Sequence, residues 1–190
     1  GSEALREGSL DLSDGRGLTW CEYGEPAGWP VVFCHGMPGS RLEHPPDDAP
    51  TTERGLRVIV PDRPGYGGTS PRPGRVLGEE AADLAALADH LGLERFDVLG
   101  FSGGGPHALA AAHGLPERVR HLGLIGSLAP FDQAGTAGMA EANRQLWDLA
   151  RRDFATFAAA LEQAIEEAGS VFDVLVGGAP PEDQAVFADA

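Results

Sequence analysis

The chain opens on a strict alternation. Ser9-Leu-Asp-Leu-Ser-Asp-Gly15 places apolar residues at every second position and runs into Asp14-Gly15, a dipeptide that closes tight hairpins. Leu18-Thr-Trp-Cys-Glu-Tyr23 resumes the alternation, so the start of the chain predicts an antiparallel pair of strands. The pattern then changes. Val31-Val-Phe-Cys34 is apolar throughout, and Val58-Ile-Val60, Val98-Leu99 and Leu122-Gly-Leu-Ile125 repeat that character. Unbroken apolar runs of this length suit strands covered on both faces, as in a parallel sheet.

Helical periods lie between these runs. Over residues 79–91, the spacing predicts a helix with Ala82, Leu84, Leu87, Ala88 and Leu91 on one side, acids on the other, and Gly92 as its stop. Gly103 to His113 is a run of small residues suited to a helix lying close on the sheet. Strand alternating with helix is the signature of an α/β fold with a mostly parallel sheet. Past Pro130 only Val171–Val176 reads as a strand, and weakly. Met139, Leu146, Leu149, Phe154, Phe157, Leu161 and Ile165 instead recur at helical spacing, predicting two amphipathic helices, with a third from Pro180-Pro181-Glu182. Residues 1–130 are read as the core and 131–190 as the start of a helical cap over a sheet-edge site. Helices that merely extend the sheet's cover are the plainer reading.

Charge narrows the partners. Twenty-nine acids against 14 Arg, with no Lys, leave a formal charge of −15. Such a surface repels phosphate backbones and anionic headgroups, so neither nucleic acid nor membrane is an expected partner. The residues contain no secretory signal, apolar span or lipidation motif, which makes a cytoplasmic location the expectation. Cys21 and Cys34 sit in apolar strand-like runs and read as small buried hydrophobes.

The chemistry centres on Gly100-Phe-Ser-Gly-Gly104, a G-x-S-x-G segment directly after an apolar strand and directly before the small-residue helix. A serine at the apex of so sharp a turn is held in a strained backbone, with its hydroxyl above the sheet and a helix N-terminus behind it. Gly100 and Gly104, two residues to either side, are expected to avoid a Cβ clash with one another. The competing reading is a glycine-rich loop with an incidental serine.

Two further segments decide between them. His35-Gly-Met-Pro-Gly-Ser40 follows one apolar strand, and Asp62-Arg-Pro-Gly-Tyr-Gly-Gly-Thr-Ser70 follows the next. With the elbow and the order of elements, they make residues 9 to 190 resemble the α/β-hydrolase superfamily, in the branch whose oxyanion loop reads H-G-x-P-G. The resemblance implies Ser102 as nucleophile and the backbone N–H groups of Met37 and Gly103 as the oxyanion hole. Acyl transfer needs two such donors, aimed at the oxygen that gains charge. It also implies that His35 shapes its loop and that Asp62 organises the loop it begins.

The general base is the gap. His107 lies five residues past Ser102 on the following helix, His113 and His121 flank a loop at its far end, and His44 and His90 read as surface positions. None of the six histidines stands where the family's catalytic histidine stands, after the last strand of the sheet. The triad acid is either Asp132, which otherwise reads as a cap on the first lid helix, or a residue beyond the chain. The expectation is therefore that the sheet is incomplete at its C-terminal side. The C-terminal portion of the same polypeptide, possibly as a separate chain, would then supply two more strands, the acid and the histidine.

Metal-ligand spacing, a phosphate-binding loop and a nucleotide-binding G-x-G-x-x-G are all absent, so no cofactor is implied. The activity implied is hydrolysis of a small-molecule ester through an acyl-enzyme on Ser102. Amide or aminopeptidase cleavage and cofactor-free perhydrolysis are alternatives with the same residues. A small-ligand receptor of the same fold is the alternative without turnover.

Overall fold

The computed structural model describes residues 6–44, 47–128, 130, 135–139, 141–170, 173, 174 and 177. The opening alternation becomes β1 (Arg6–Asp11) and β2 (Gly17–Gly24), paired antiparallel with Leu10 opposite Leu18. The hairpin closes with the Leu12 N–H on the Arg16 carbonyl and with Gly15 at φ 82°, a region glycine enters without Cβ cost. The apolar runs become β3 (Trp29–Cys34), β4 (Leu56–Pro61), β5 (Phe96–Phe101) and β6 (Val119–Ile125).

These strands form one six-stranded mixed sheet in the order β1-β2-β4-β3-β5-β6. β2 meets β4 antiparallel, and β4, β3, β5 and β6 run parallel. The order matters for function. From β3 the chain continues to β4 on one side, whereas β5 lies on the other, so the loops leaving β3 and β5 part at adjacent strand ends. Such a switch point is where open α/β sheets leave a crevice. Cys34 faces Gly100 across it, one residue before the His35 loop and two before Ser102.

β3, β4 and β5 are covered on both faces, which explains their unbroken apolar character, whereas the equally apolar β6 is not. Val32, Ile59, Phe96 and Val98 join Leu84, Leu87 and Ala88 of α2 (Glu80–His90) and Ala108 and Ala111 of α3 (Gly105–Gly114) in the larger core. Val58, Val60 and Tyr23, flanked by Val31 and Phe33, form the smaller one. A short helix, α1 (Ala49–Glu53), precedes β4.

The inward face of α2 differs from the sequence expectation. Ala82 is exposed, and Glu80, Ala81 and Asp83 are buried beside Leu84, Leu87 and Ala88. The acids are tolerated because each has a cationic or imidazole partner. Asp83 takes two hydrogen bonds from Arg16, at 2.8 and 2.5 Å, and Glu80 sits 2.9 Å from Nδ1 of His107. Buried carboxylates need such partners, and hydrophobic periodicity cannot reveal them. Gly92, at φ 67°, follows the end of α2.

β6 pairs only with β5 among the described residues, and it carries apolar side chains into the open: Leu122 is 37% exposed, Leu124 44% and Ile125 51%. The sheet is thus open on this side.

The chain divides into two compact units, Gly1–Ala129 and Pro130–Ala190. In the second, α4 (Glu141–Arg152) and α5 (Phe154–Ala168) pack on one another. Met139 precedes α4 instead of lying within it. Asp153 caps α5 by accepting the Thr156 N–H, and Gly169 ends it at φ 91°. Of the weak strand candidate, Asp173 and Val174 are helical and the other residues, except Asp173 and Val174, lie outside the described set, as do Asp132 and the helix expected from Pro180. Among the described residues no helix is long and apolar enough to cross a membrane.

Candidate active site

Ser102 directly follows β5 and opens a single 3-10 turn, Ser102–Gly104, that leads into α3. The turn precedes the helix predicted to start at Gly103. Ser102 has φ 49°, the only positive φ outside glycine among the described residues. A side chain in this region costs free energy that the surrounding structure must offset, a condition concentrated at functional sites.

The neighbouring glycines show what enforces it. A Cβ on Gly100 would lie 2.8 Å from Ala108 Cβ and 2.9 Å from the Gly104 carbonyl oxygen. A Cβ on Gly104 would instead strike the carbonyl oxygens of Cys34 and His35, and one on Gly105 would strike Ser127. The mutual clash of Gly100 and Gly104 expected from the sequence is therefore one-sided. Gly104 is glycine because the end of β3 crowds it, and Gly105 because the residues after β6 do.

Met37 and Gly103 come together over the elbow. A Cβ on Gly103 would be 2.7 Å from Met37 Cβ and 3.4 Å from Met37 N. The Met37 N–H has no acceptor among the described residues, and Gly103 lies in the first turn of a helix, where N–H groups lack helical partners. The Met37 side chain is exposed, as is Phe101 before the serine.

Three residues that the sequence analysis left without a role hold this loop. Glu43 accepts the Gly36 N–H at 2.8 Å. Arg63 donates through its guanidinium to the carbonyl oxygens of His35 and Gly36, the latter at 2.7 Å. Arg41 donates its backbone N–H to Asp62 at 2.6 Å and its guanidinium to the same carboxylate at 2.9 Å. The D-R pair was visible as a motif, but nothing in Arg41-Leu-Glu43 signals that Glu43 reaches back to Gly36.

Asp62 also accepts the Thr19 hydroxyl at 2.7 Å and the Gly68 N–H at 3.0 Å. Burial alone would raise its carboxyl, yet these donors hold it below its ordinary value. A carboxylate so committed organises two loops.

The histidines are similarly occupied. His35 is fully buried, its Nδ1–H on the Gly36 carbonyl at 3.0 Å and its Nε2 accepting the Arg63 N–H at 3.4 Å. Burial pushes it down to about 4, and the Arg63 charge acts in the same direction. His107 is buried against Glu80, His121 pairs with Asp97 at 3.0 Å, and His44, His90 and His113 are exposed. Among the described residues none hydrogen-bonds the Ser102 hydroxyl. Burial pushes the Cys34 thiol up to about 12, leaving it an inert part of the core.

The family profile for the alpha/beta hydrolase fold matches residues 30–167, a span that includes the loop of Met37, Asp62 and Ser102. The chain belongs to the α/β-hydrolase fold family. Among curated relatives it is 42% identical over 106 residues to 2-hydroxy-6-oxo-2,4-heptadienoate hydrolase of Pseudomonas putida, covering 54% of this chain and 38% of that protein. It is 34% identical over 137 residues to a probable proline iminopeptidase of Streptomyces coelicolor, covering 65% and 41%. A solved α/β-hydrolase fold protein from Nakamurella multipartita superposes with a TM-score of 0.56 at 29% identity, over 87% of this chain and 56% of that one. The chain spans less than half the length of these two curated relatives.

Proposed function

We propose that this α/β hydrolase cleaves small carboxylic esters through an acyl-enzyme on Ser102. The observation that carries the reading is the Ser102 backbone at φ 49° on a strand-to-helix turn. Its support is the approach of Met37 to Gly103 beside it and the kinship with hydrolases.

Ser102 Oγ attacks the ester carbonyl as its proton passes to a histidine base. The carbonyl oxygen gains charge and is met by the N–H groups of Met37 and Gly103. The same imidazole returns the proton to the departing alkoxide, and water then releases the acid by the reverse sequence. Among the described residues none of the six histidines hydrogen-bonds the Ser102 hydroxyl, so the base in this proposal is a histidine from outside residues 1–190. A segment bringing it has a place to dock in the open β6 edge, where Leu122, Leu124 and Ile125 are exposed.

The likeness to a proline iminopeptidase favours one narrower alternative, cleavage behind an N-terminal residue. The test is labelling of the full-length protein with a fluorophosphonate, followed by turnover of p-nitrophenyl esters and aminoacyl anilides. Labelling at Ser102 with an ester burst supports the proposal, and preference for the anilides supports the peptidase. Ligand-induced thermal stabilisation with neither labelling nor turnover would identify a receptor.

A further inference from the structure

Arg63 is 3% exposed, and its guanidinium meets no carboxylate among the described residues. Its partners are two carbonyl oxygens and the Tyr66 ring, whose centroid lies 4.8 Å away; its Nε has no acceptor. Removing an ionised group from water without a counter-charge is costly, so the position asks for a use.

The two consecutive peptides that Arg63 touches differ in one respect. The His35–Gly36 peptide is held at both ends, its carbonyl by Arg63 and its N–H by Glu43 at 2.8 Å. The Gly36–Met37 peptide is trans, and only its carbonyl is held, by Arg63 Nη2 at 2.7 Å and by Nδ1–H of His35 at 3.0 Å. Its other end is the free N–H of Met37. A peptide is planar, and in the trans form its C=O and N–H point in opposite directions. Gripping the oxygen therefore aims the hydrogen. A cationic donor on the oxygen also draws electron density from the nitrogen, which strengthens the N–H as a donor.

We propose that Arg63 is a positioning residue for acyl transfer: by holding the Gly36 carbonyl, it fixes the direction and donor strength of the Met37 N–H that meets the oxyanion. The proposal rests on the reading of Ser102 as nucleophile. Arg63 touches no substrate atom; it acts through one peptide plane and places a positive charge on the far side of the developing oxyanion. His35 shares the grip as a neutral group, its protonation suppressed by burial and by Arg63.

The test compares wild type, Arg63→Met and Arg63→Lys in the full-length enzyme on an oxygen ester and its thiono analogue. Sulfur accepts hydrogen bonds poorly, so a well-aimed hole prefers the oxygen substrate, and the ratio of the two rates is independent of how much variant has folded. Arg63→Met should lower kcat on the oxygen ester about 10- to 100-fold, below the loss seen when an oxyanion donor is removed outright. KM should change little, and the oxygen-over-sulfur preference should shrink with kcat. Arg63→Lys, a cation without the planar fork, should recover part of both. An unchanged preference in Arg63→Met would overturn the proposal while leaving Ser102 in place. Absence of Ser102-dependent turnover in wild type would overturn both, and the missing fluorophosphonate label would distinguish that case.

Discussion

Gly103 approaches Met37 so closely that a methyl group on it would lie 2.7 Å from Met37 Cβ. The elbow therefore meets the Met37 residue of the H-G loop with no side chain of its own at Gly103. Gly103→Ala should push the Met37 loop away by a few tenths of an ångström or more. The expected result is a fall in kcat of about 10- to 100-fold on p-nitrophenyl esters, since small misplacements of reacting groups are expensive. Steady-state kinetics and a thermal melt of the full-length enzyme check this, with the melt nearly unchanged.

Ser102 offers a test of its strain. Ser102→Ala and Ser102→Gly should both abolish covalent labelling and turnover, but only the glycine relieves the φ of 49°. Relief of a left-handed non-glycine residue returns about 1 kcal/mol or more, less the entropy glycine adds to the unfolded chain. Ser102→Gly should consequently melt above Ser102→Ala. Equal or reversed melting temperatures would show that the elbow stores no such strain.

His35 predicts a pH dependence of stability. Its imidazole is depressed from 6.5 to about 4 in the folded state. Above pH 6.5 both folded and unfolded states are neutral here, and its contribution is fully present. As pH falls from 6.5 towards 4, the unfolded chain binds a proton that the folded chain refuses, so stability drops by at most about 1.4 kcal/mol per pH unit from this group. Urea midpoints taken from pH 7 to 4.5 should show a shallower fall in His35→Gln than in wild type. Parallel curves would show that His35 is not the titrating group.

Asp62 ties Arg41, Thr19 and Gly68 together while only 1% exposed. Asp62→Ala leaves three donors without their acceptor and Arg41 with Glu7 as its remaining counter-charge, and should destabilise the fold by about 3 kcal/mol. Thr19→Val removes one neutral donor and should cost about 1 kcal/mol. Chemical denaturation measures both, and near-equal costs would contradict a carboxylate-centred network.

Much of this architecture was legible because it is written in short-range patterns. Asp14-Gly15 closes a hairpin, the apolar runs mark the parallel strands, although the last of them, β6, is left open, and Gly100-Phe-Ser-Gly-Gly104 announces a strand-to-helix turn, since each depends on neighbours a few residues apart. Burial of polar groups was not legible. Periodicity placed the α2 acids outward, yet Glu80 and Asp83 turn inward because His107 and Arg16 arrive from other elements, 27 and 67 residues away in sequence. The same holds at the site. The sequence by itself determined that a serine stands at an elbow beside an H-G loop. Only the tertiary structure decided that Glu43 and Arg63 hold that loop, that Gly104 is crowded by β3, and that His35 is already committed at both nitrogens. A backbone turn is encoded by the conformational limits of adjacent residues, whereas the partner of a buried charge is chosen by whichever distant donor the fold brings within 3 Å.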